Sequence, residues 1–239
     1  MARALLRVHA RTTLAGRPPH LSDLRVLLVA DVLLRTAGLG GRQAMVGLGL
    51  PDDPAPGEVK ALTRDAERLN VHPPAAQAHS RDVPAALGGP IHVEVSVPGA
   101  ADATDGDAPR PAPVEVGPVD PGGTLDLPPD PLALRLALLG HTPAEPVRLT
   151  PEGLAEAAGT LTHWRRRVAD WAGEPSRPAH AETVRAARAG FAEGLDTATA
   201  LDLLHRLDRA DEVPAGARFE TFVHLDRVLA LELARDIGR

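Results

Sequence analysis

The chain has 239 residues, a formal net charge of −6 and no cysteine. That length allows one large domain or two small ones, and the missing cysteine excludes a disulfide, a thiolate nucleophile and a cysteine-ligated zinc site. The chain is 44% apolar but only 2% aromatic, and its 26 basic residues include a single lysine, Lys60, a bias of genome composition rather than of function. The acidic balance and the lack of a long basic run argue against a dedicated nucleic-acid binder. No apolar run reaches the length of a membrane span and the N-terminus has no signal-peptide core, so a soluble cytoplasmic protein is expected.

In chain order, residues 4–8 read as a short buried strand and 12–19 as a loop rich in turn formers. Residues 21–36 carry apolar side chains at Leu21, Leu24, Leu28 and Val32, the spacing of a helix. Asp31 and Arg35 lie four apart and are placed to pair on its exposed edge. The glycines of 38–41 end that helix, which makes them a C-terminal cap and not a phosphate loop. A second strand is expected at 43–50, weakened by glycines, and a second helix at 57–69, closed by Pro73 and Pro74. Residues 91–97 alternate apolar and polar as a strand does. Residues 98–131 are dominated by proline and glycine and read as a connection, with a short strand at 114–116. From there the pattern is helical, at 131–140, 151–172, 178–195, 197–208 and 216–235. Thr150 is the N-cap of the second of these, with Pro151 at its first position.

The expected fold class is therefore α/β, a partial Rossmann-like domain over 1–97, followed by a proline- and glycine-rich connection over 98–129 and an all-α helical bundle over 130–239.

The stretch His20-Leu21-Ser22-Asp23-Leu24-Arg25 resembles the His-x-Gly-His signature of class I aminoacyl-tRNA synthetases, with an Arg two positions beyond it. His20 and Arg25 stand where the signature has them, while Ser22 replaces its glycine and Asp23 its second histidine. Further along, Asp130-Pro131-Leu132-Ala133-Leu134-Arg135 is similar to the Asp-Pro-x-Ala-Leu-Arg stretch of cysteinyl-tRNA synthetases. Leu138-Leu139-Gly140-His141, residues 191–204 and Leu225–Leu231 resemble later segments of the same family in the same order. Arg68-Leu69-Asn70-Val71 and Asp52-Asp53 resemble earlier ones. The likeness implies a nucleotide-binding α/β domain joined to a helical domain, with His20, Asp23 and Arg25 as the remnant of its nucleotide site.

The departures from the family remove its chemistry. The first zinc cysteine of the family falls at Arg11, and the Gly-Pro after it at Thr12-Thr13, so zinc cannot bind as the family binds it. The lysine-rich ATP loop expected before Asp130 is replaced by Val119-Asp120-Pro121-Gly122-Gly123, with no cation to stabilise charge on transferring phosphates. Asp23 brings negative charge where ATP would lie. The expectation is a non-catalytic binding or regulatory paralogue, truncated before the anticodon-binding end and needing no cofactor. Its partner would be another protein or a small nucleotide-like ligand. The alternatives are a residual ATP-dependent ligase of cysteine to tRNA or to an amine, and a tRNA-binding module.

Other constellations admit two readings each. His20, Asp23 and Arg25 could form a residual anion site, or Ser22 or Asp23 could simply cap the helix. Asp52 and Asp53, between Pro51 and Pro54, could hold a ribose or a cation, or make a turn. His72, His79 and His92 match no compact metal-ligand spacing. His163-Trp164-Arg165-Arg166-Arg167 could touch RNA, but Trp164, Val168 and Trp171 share one helix face, which reads as core with the arginines outside.

Overall fold

The computed structural model describes residues 5–15, 20–100, 110–122 and 128–238. The chain divides into two compact units, Met1–Pro121 with Pro143–Arg148, and Gly122–Thr142 with Leu149–Arg239. The first unit therefore runs through most of the stretch expected to be a connection. The expected strand at 4–8 begins two residues later, its first residue lying outside those described, as does the end of the expected loop at 12–19.

The first unit contains strands β1 (Leu6–Arg11), β2 (Ala44–Leu50), β3 (Ala76–His79), β4 (Val93–Ser96) and β5 (Ala112–Glu115), and helices α1 (Leu21–Leu39), α2 (Pro56–Arg68) and the single turn α3 (Val83–Ala86). The five strands form one parallel sheet in the order β3-β2-β1-β4-β5. This is an α/β fold of the Rossmann-like type. Two further strands, β6 (Val119–Asp120) and β7 (Val147–Arg148), pair in parallel beside it.

The middle of the sheet is buried: Val8 and Ala10 of β1 and Val95 of β4 are fully buried. Burial of a valine side chain such as Val8 or Val95 contributes about 1.5–3 kcal/mol. Helix α1 is buried on every side from Leu24 to Val32, a span that is apolar all round but for Arg25 and Asp31. The glycines of β2 have packing reasons. A Cβ at Gly47 would strike Val83 of α3, and one at Gly49 would collide with the imidazole of His9 on β1. Strand β3 went unread in the sequence because Ala-Gln-Ala-His has neither alternation nor β-branched residues; it forms as an edge strand on β2.

Asp31 and Arg35 do pair, at 2.8 Å, but not on an exposed edge. The Asp31 carboxylate is buried and also accepts from the backbone N–H of His72. Arg35 donates to the carbonyl of Asn70, which has a left-handed backbone. The Leu69-Asn70-Val71 stretch is thus the turn that brings the chain from α2 toward β3, with Leu69 and Val71 buried.

The described elements of the second unit are helices: α4 (Leu132–Leu139), α5 (Pro151–Trp171), α6 (Ala181–Ala192), α7 (Thr197–Asp208) and α8 (Ala215–Leu229). Thr150 caps α5 by accepting from the Gly153 N–H, with Pro151 at the first position, as the sequence predicts. Trp164, Val168 and Trp171 are buried along one face of α5. Phe222 of α8 stands edge-on to both tryptophans, at 5.7 and 5.2 Å.

Helix α8 ends six residues before the expected boundary at 235. Ala230 and Glu232 adopt left-handed φ values of 52° and 54°. The hook they make buries both Leu231 and Leu233, which a helix advancing about 100° per residue would set on different faces. Its polar atoms are met from four sides. Asp226 accepts from the N–H groups of Leu231 (2.7 Å) and Leu233 (2.9 Å). Arg135 of α4 donates to the Leu229 carbonyl at 2.6 Å, and Arg165 of α5 to those of Leu231 (2.6 Å) and Glu232 (3.1 Å). Asp130 pairs with Arg165 and Arg235. The Asp-Pro-x-Ala-Leu-Arg stretch thus supplies the carboxylate and one of the arginines that hold this hook.

Candidate functional site

In an open parallel sheet, ligands lodge at the carboxyl ends of the strands, beside the place where strand order reverses. Here that place lies between β1 and β4. β1 is followed by Thr12-Thr13-Leu14, and His20 is the N-cap of α1.

Asp23, in the first turn of α1, does not cap its own helix. Its two carboxylate oxygens reach back to the loop and accept from the N–H groups of Thr13 and Leu14, each at 2.9 Å. Leu14 takes a left-handed φ of 50°. Burial pushes the Asp23 carboxyl up, and the two main-chain hydrogen bonds and nearby His20 only partly offset it. Ser22 is not a cap either, since its hydroxyl accepts from the Val119 N–H at 3.0 Å. His20 is buried, with Nδ1 3.3 Å from the Ala15 carbonyl and Nε2 without a hydrogen-bond partner. Arg25 is buried too, and its guanidinium donates to the carbonyls of Gly117 (2.9 Å) and Glu145. Burial lowers its pKa against the opposing charge of the Glu145 side chain. Of the three residues singled out in the sequence, the structure brings His20 and Asp23 together at the β1–α1 junction. Arg25 binds main chain on the segments flanking β6 and β7.

Beside this junction the strand ends form a cleft of about 320 Å³, walled by Arg11, Thr12, Thr13, Asp52, Ser80 and Arg81 among others. The Arg11 wall is anchored from below. Glu94 of β4 bonds both His9 Nδ1 and Arg11 Nη2, each at 3.2 Å. The His9 bond holds the Glu94 carboxyl below the ordinary range, against burial and with help from Arg11. The bond to Glu94 turns His9 Nε2 toward Gly49, buried and without a hydrogen-bond partner. On the opposite wall Arg81 pairs with Asp52 at 3.3 Å, both well exposed. Asp52 therefore does more than shape a turn, while Asp53 beside it takes a left-handed φ of 53°. The hydroxyl of Thr12 donates to the Gly49 carbonyl (2.8 Å) and that of Ser80 to the Leu50 carbonyl (3.2 Å). Both hydroxyl protons are thus committed to main-chain carbonyls.

Sequence reasoning passed over Arg81, Glu94 and His9 as site residues. The available signal was His9 and Arg11 alternating within an apolar strand. The three histidines considered for a metal have separate partners: His72 bonds Asp31, His79 approaches the Pro51 carbonyl, and His92 Nδ1 accepts from the Arg7 N–H. Among the described residues no group of three or more His, Asp or Glu is placed to hold a metal ion.

The basic cluster on α5 differs from expectation. Its arginines are not all outside. Arg165 is buried in the α8 hook. Arg167 donates to Asp208 at 3.0 Å and lies over the Trp171 ring, and His163 bonds the other Asp208 oxygen at 2.7 Å. Arg166 alone of the three arginines is exposed.

No protein-family model and no curated protein matches the chain. Among the described residues no helix is long and apolar enough to cross a membrane.

Proposed function

We propose that this protein is a non-catalytic relative of the cysteinyl-tRNA synthetases that binds a small ligand at the carboxyl edge of its sheet. In this reading the first unit is a partial class I nucleotide-binding domain and the second the adjoining all-α bundle. The observation that carries it is the position of Asp23. Main-chain N–H groups at a strand-to-helix junction are the donors that cradle phosphates in nucleotide-binding folds. Here two of them, from Thr13 and Leu14, hold the chain's own carboxylate. A triphosphate entering the junction would have to displace that carboxylate or lie against it, and in a buried setting the repulsion of like charges is strong.

The residues present do not fit the zinc of the family. Arg11 stands at the position of its first cysteine and brings a guanidinium bonded to Glu94. A tRNA-binding role gains no support from the α5 cluster, because two of its three arginines are engaged within the protein.

The test is ATP–pyrophosphate exchange by the full chain with cysteine and with each other amino acid. The expected result is no exchange above background. Clear exchange with any amino acid would overturn the non-catalytic reading in favour of a residual ligase.

A further inference from the structure

We infer that Ser80 is an acyl acceptor, a nucleophile served by the His9–Glu94 pair that holds the acyl group of a small uncharged ester covalently. The inference rests on reading the cleft at the carboxyl edge of the sheet as the ligand site, and it adds how the ligand is held. Its starting point is a buried nitrogen. The Glu94 carboxylate lies 3.2 Å from His9 Nδ1 and also takes a bond from Arg11. An ionised carboxylate only accepts, so the imidazole proton sits on Nδ1 and Nε2 is left as the basic nitrogen. His9 is 2% exposed, and Nε2 has no hydrogen-bond partner. A buried acceptor without a donor costs about 1–3 kcal/mol, and a proton offered to Nε2 recovers that cost.

The hydroxyl beside it belongs to Ser80. A Cβ on Gly49 would collide with Nε2 and lie 2.9 Å from the Ser80 Oγ, so base and hydroxyl border one small gap that only a glycine leaves open. Strand β3 ends at His79, and Ser80 opens the helical turn Ser80–Asp82. A strand-to-helix turn of this kind sets a hydroxyl above the strand ends, and Ser80 lines the cleft there. Its proton goes to the Leu50 carbonyl at 3.2 Å, long for a bond from a hydroxyl. Turning it to Nε2 exchanges a carbonyl for a stronger base, and bonds of this type commonly tighten only when a substrate is in place.

In the step itself Ser80 Oγ attacks the ester carbonyl carbon while its proton passes to His9 Nε2. The bond from that carbon to the alcohol oxygen then breaks, and the leaving oxygen takes the proton. His9 is neutral again and the acyl group is on Ser80. The guanidiniums of Arg11 and Arg81 are already bonded to Glu94 and Asp52, so the walls ask for no further anion. Leu50, Pro51 and Ala100 add apolar surface, and about 320 Å³ suits a short acyl chain. Releasing the acid would require a water between the acyl group and the buried His9 ring, so the acyl group persists without turnover.

The experiment is intact and peptide mass spectrometry of the full chain after incubation with p-nitrophenyl acetate, p-nitrophenyl octanoate or a fluorophosphonate. The acetate ester and the fluorophosphonate should each add one group per chain, at Ser80. The octanoate ester should react at least about tenfold more slowly. Ser80→Ala should keep the fold by circular dichroism and lose the label. His9→Gln should slow labelling by about 100-fold or more. Glu94 acts through His9, so its test reads the ring itself. Nitrogen NMR of the wild type should place the His9 proton on Nδ1, and Glu94→Gln should weaken that preference and slow labelling together. If His9→Gln does not fold, Ser80→Ala and the NMR still decide. No label, a label that survives Ser80→Ala, octanoate reacting as fast as acetate, or a His9 proton on Nε2 would overturn the inference. ATP–pyrophosphate exchange run on the same preparation separates the two readings. Exchange sinks the non-catalytic assignment whatever the labelling shows, whereas an unlabelled Ser80 without exchange removes only the covalent capture.

Discussion

Asp23 shows how one residue can be read correctly for its charge and missed for its use. An ionised acceptor in the first turn of a helix is visible in the sequence; that its partners are the N–H groups of Thr13 and Leu14 is not. Asp23→Ala should destabilise the protein by about 1–3 kcal/mol for each N–H left buried without a partner, measured by urea denaturation at pH 7. Asp23→Asn, which keeps one acceptor, should cost less. The pH dependence has a definite sign. The folded-state pKa of Asp23 lies above its ordinary value of 3.8, so its contribution is most favourable below the unfolded pKa and is lost as pH rises through the folded one. The Asn variant should therefore recover, relative to wild type, as pH is raised from 4 to 7; a constant difference would remove this account. Arg25 is the companion case. Its position in α1 is legible in the sequence, but its donation to Gly117 and Glu145 depends on segments about a hundred residues away. Arg25→Ala should cost about 3 kcal/mol or more, since it orphans buried carbonyls and leaves a cavity.

At the scale of elements, the helices with local signals are the ones the sequence placed well. Thr150 followed by Pro151 marks the start of α5 without help from the rest of the chain, and Thr150→Ala should cost about 1 kcal/mol in thermal or urea denaturation. The end of α8 carries no such signal, because Leu225, Val228, Leu229 and Leu231 keep a helix-compatible spacing. What stops the helix is a set of partners, Asp226 within α8 and the distant Arg135 and Arg165, which satisfy the polar atoms of a non-helical hook. Arg165→Ala should lower stability by about 3–5 kcal/mol, the cost of breaking a buried, hydrogen-bonded charge pair. Arg165→Lys should restore only part of it, because an ammonium cannot span the carbonyls of Leu231 and Glu232 and the carboxylate of Asp130 with a planar fork. Hydrogen exchange at the Leu231 and Leu233 amides reports the same event, and protection unchanged in Arg165→Ala would contradict it.

For the molecule as a whole, the depressed carboxyls of Glu94, Asp130 and Asp208 predict acid sensitivity in both units. Glu94 is held low by His9 and Arg11 against burial. Burial would raise Asp130 and Asp208, but hydrogen bonds from Arg165 in one case, and from His163 and Arg167 in the other, outweigh it. Each folded-state pKa lies below its unfolded value, so the stabilisation is complete above the ordinary carboxylate range and is lost as pH falls through the depressed values. Stability followed by far-UV circular dichroism in urea should fall steeply below about pH 4, and less steeply in Asp208→Asn. The sequence by itself determined the α/β class, the helical character of the second half, the cap of α5 and the tryptophan face. All of these rest on local spacing and residue type. Only the tertiary structure decided the strand order, the weak edge strand β3, the joining of Arg11 and His9 to Glu94, and the cleft that Arg81 lines. Those depend on pairing between segments far apart in the chain, and a one-dimensional pattern carries no record of which strand lies beside which.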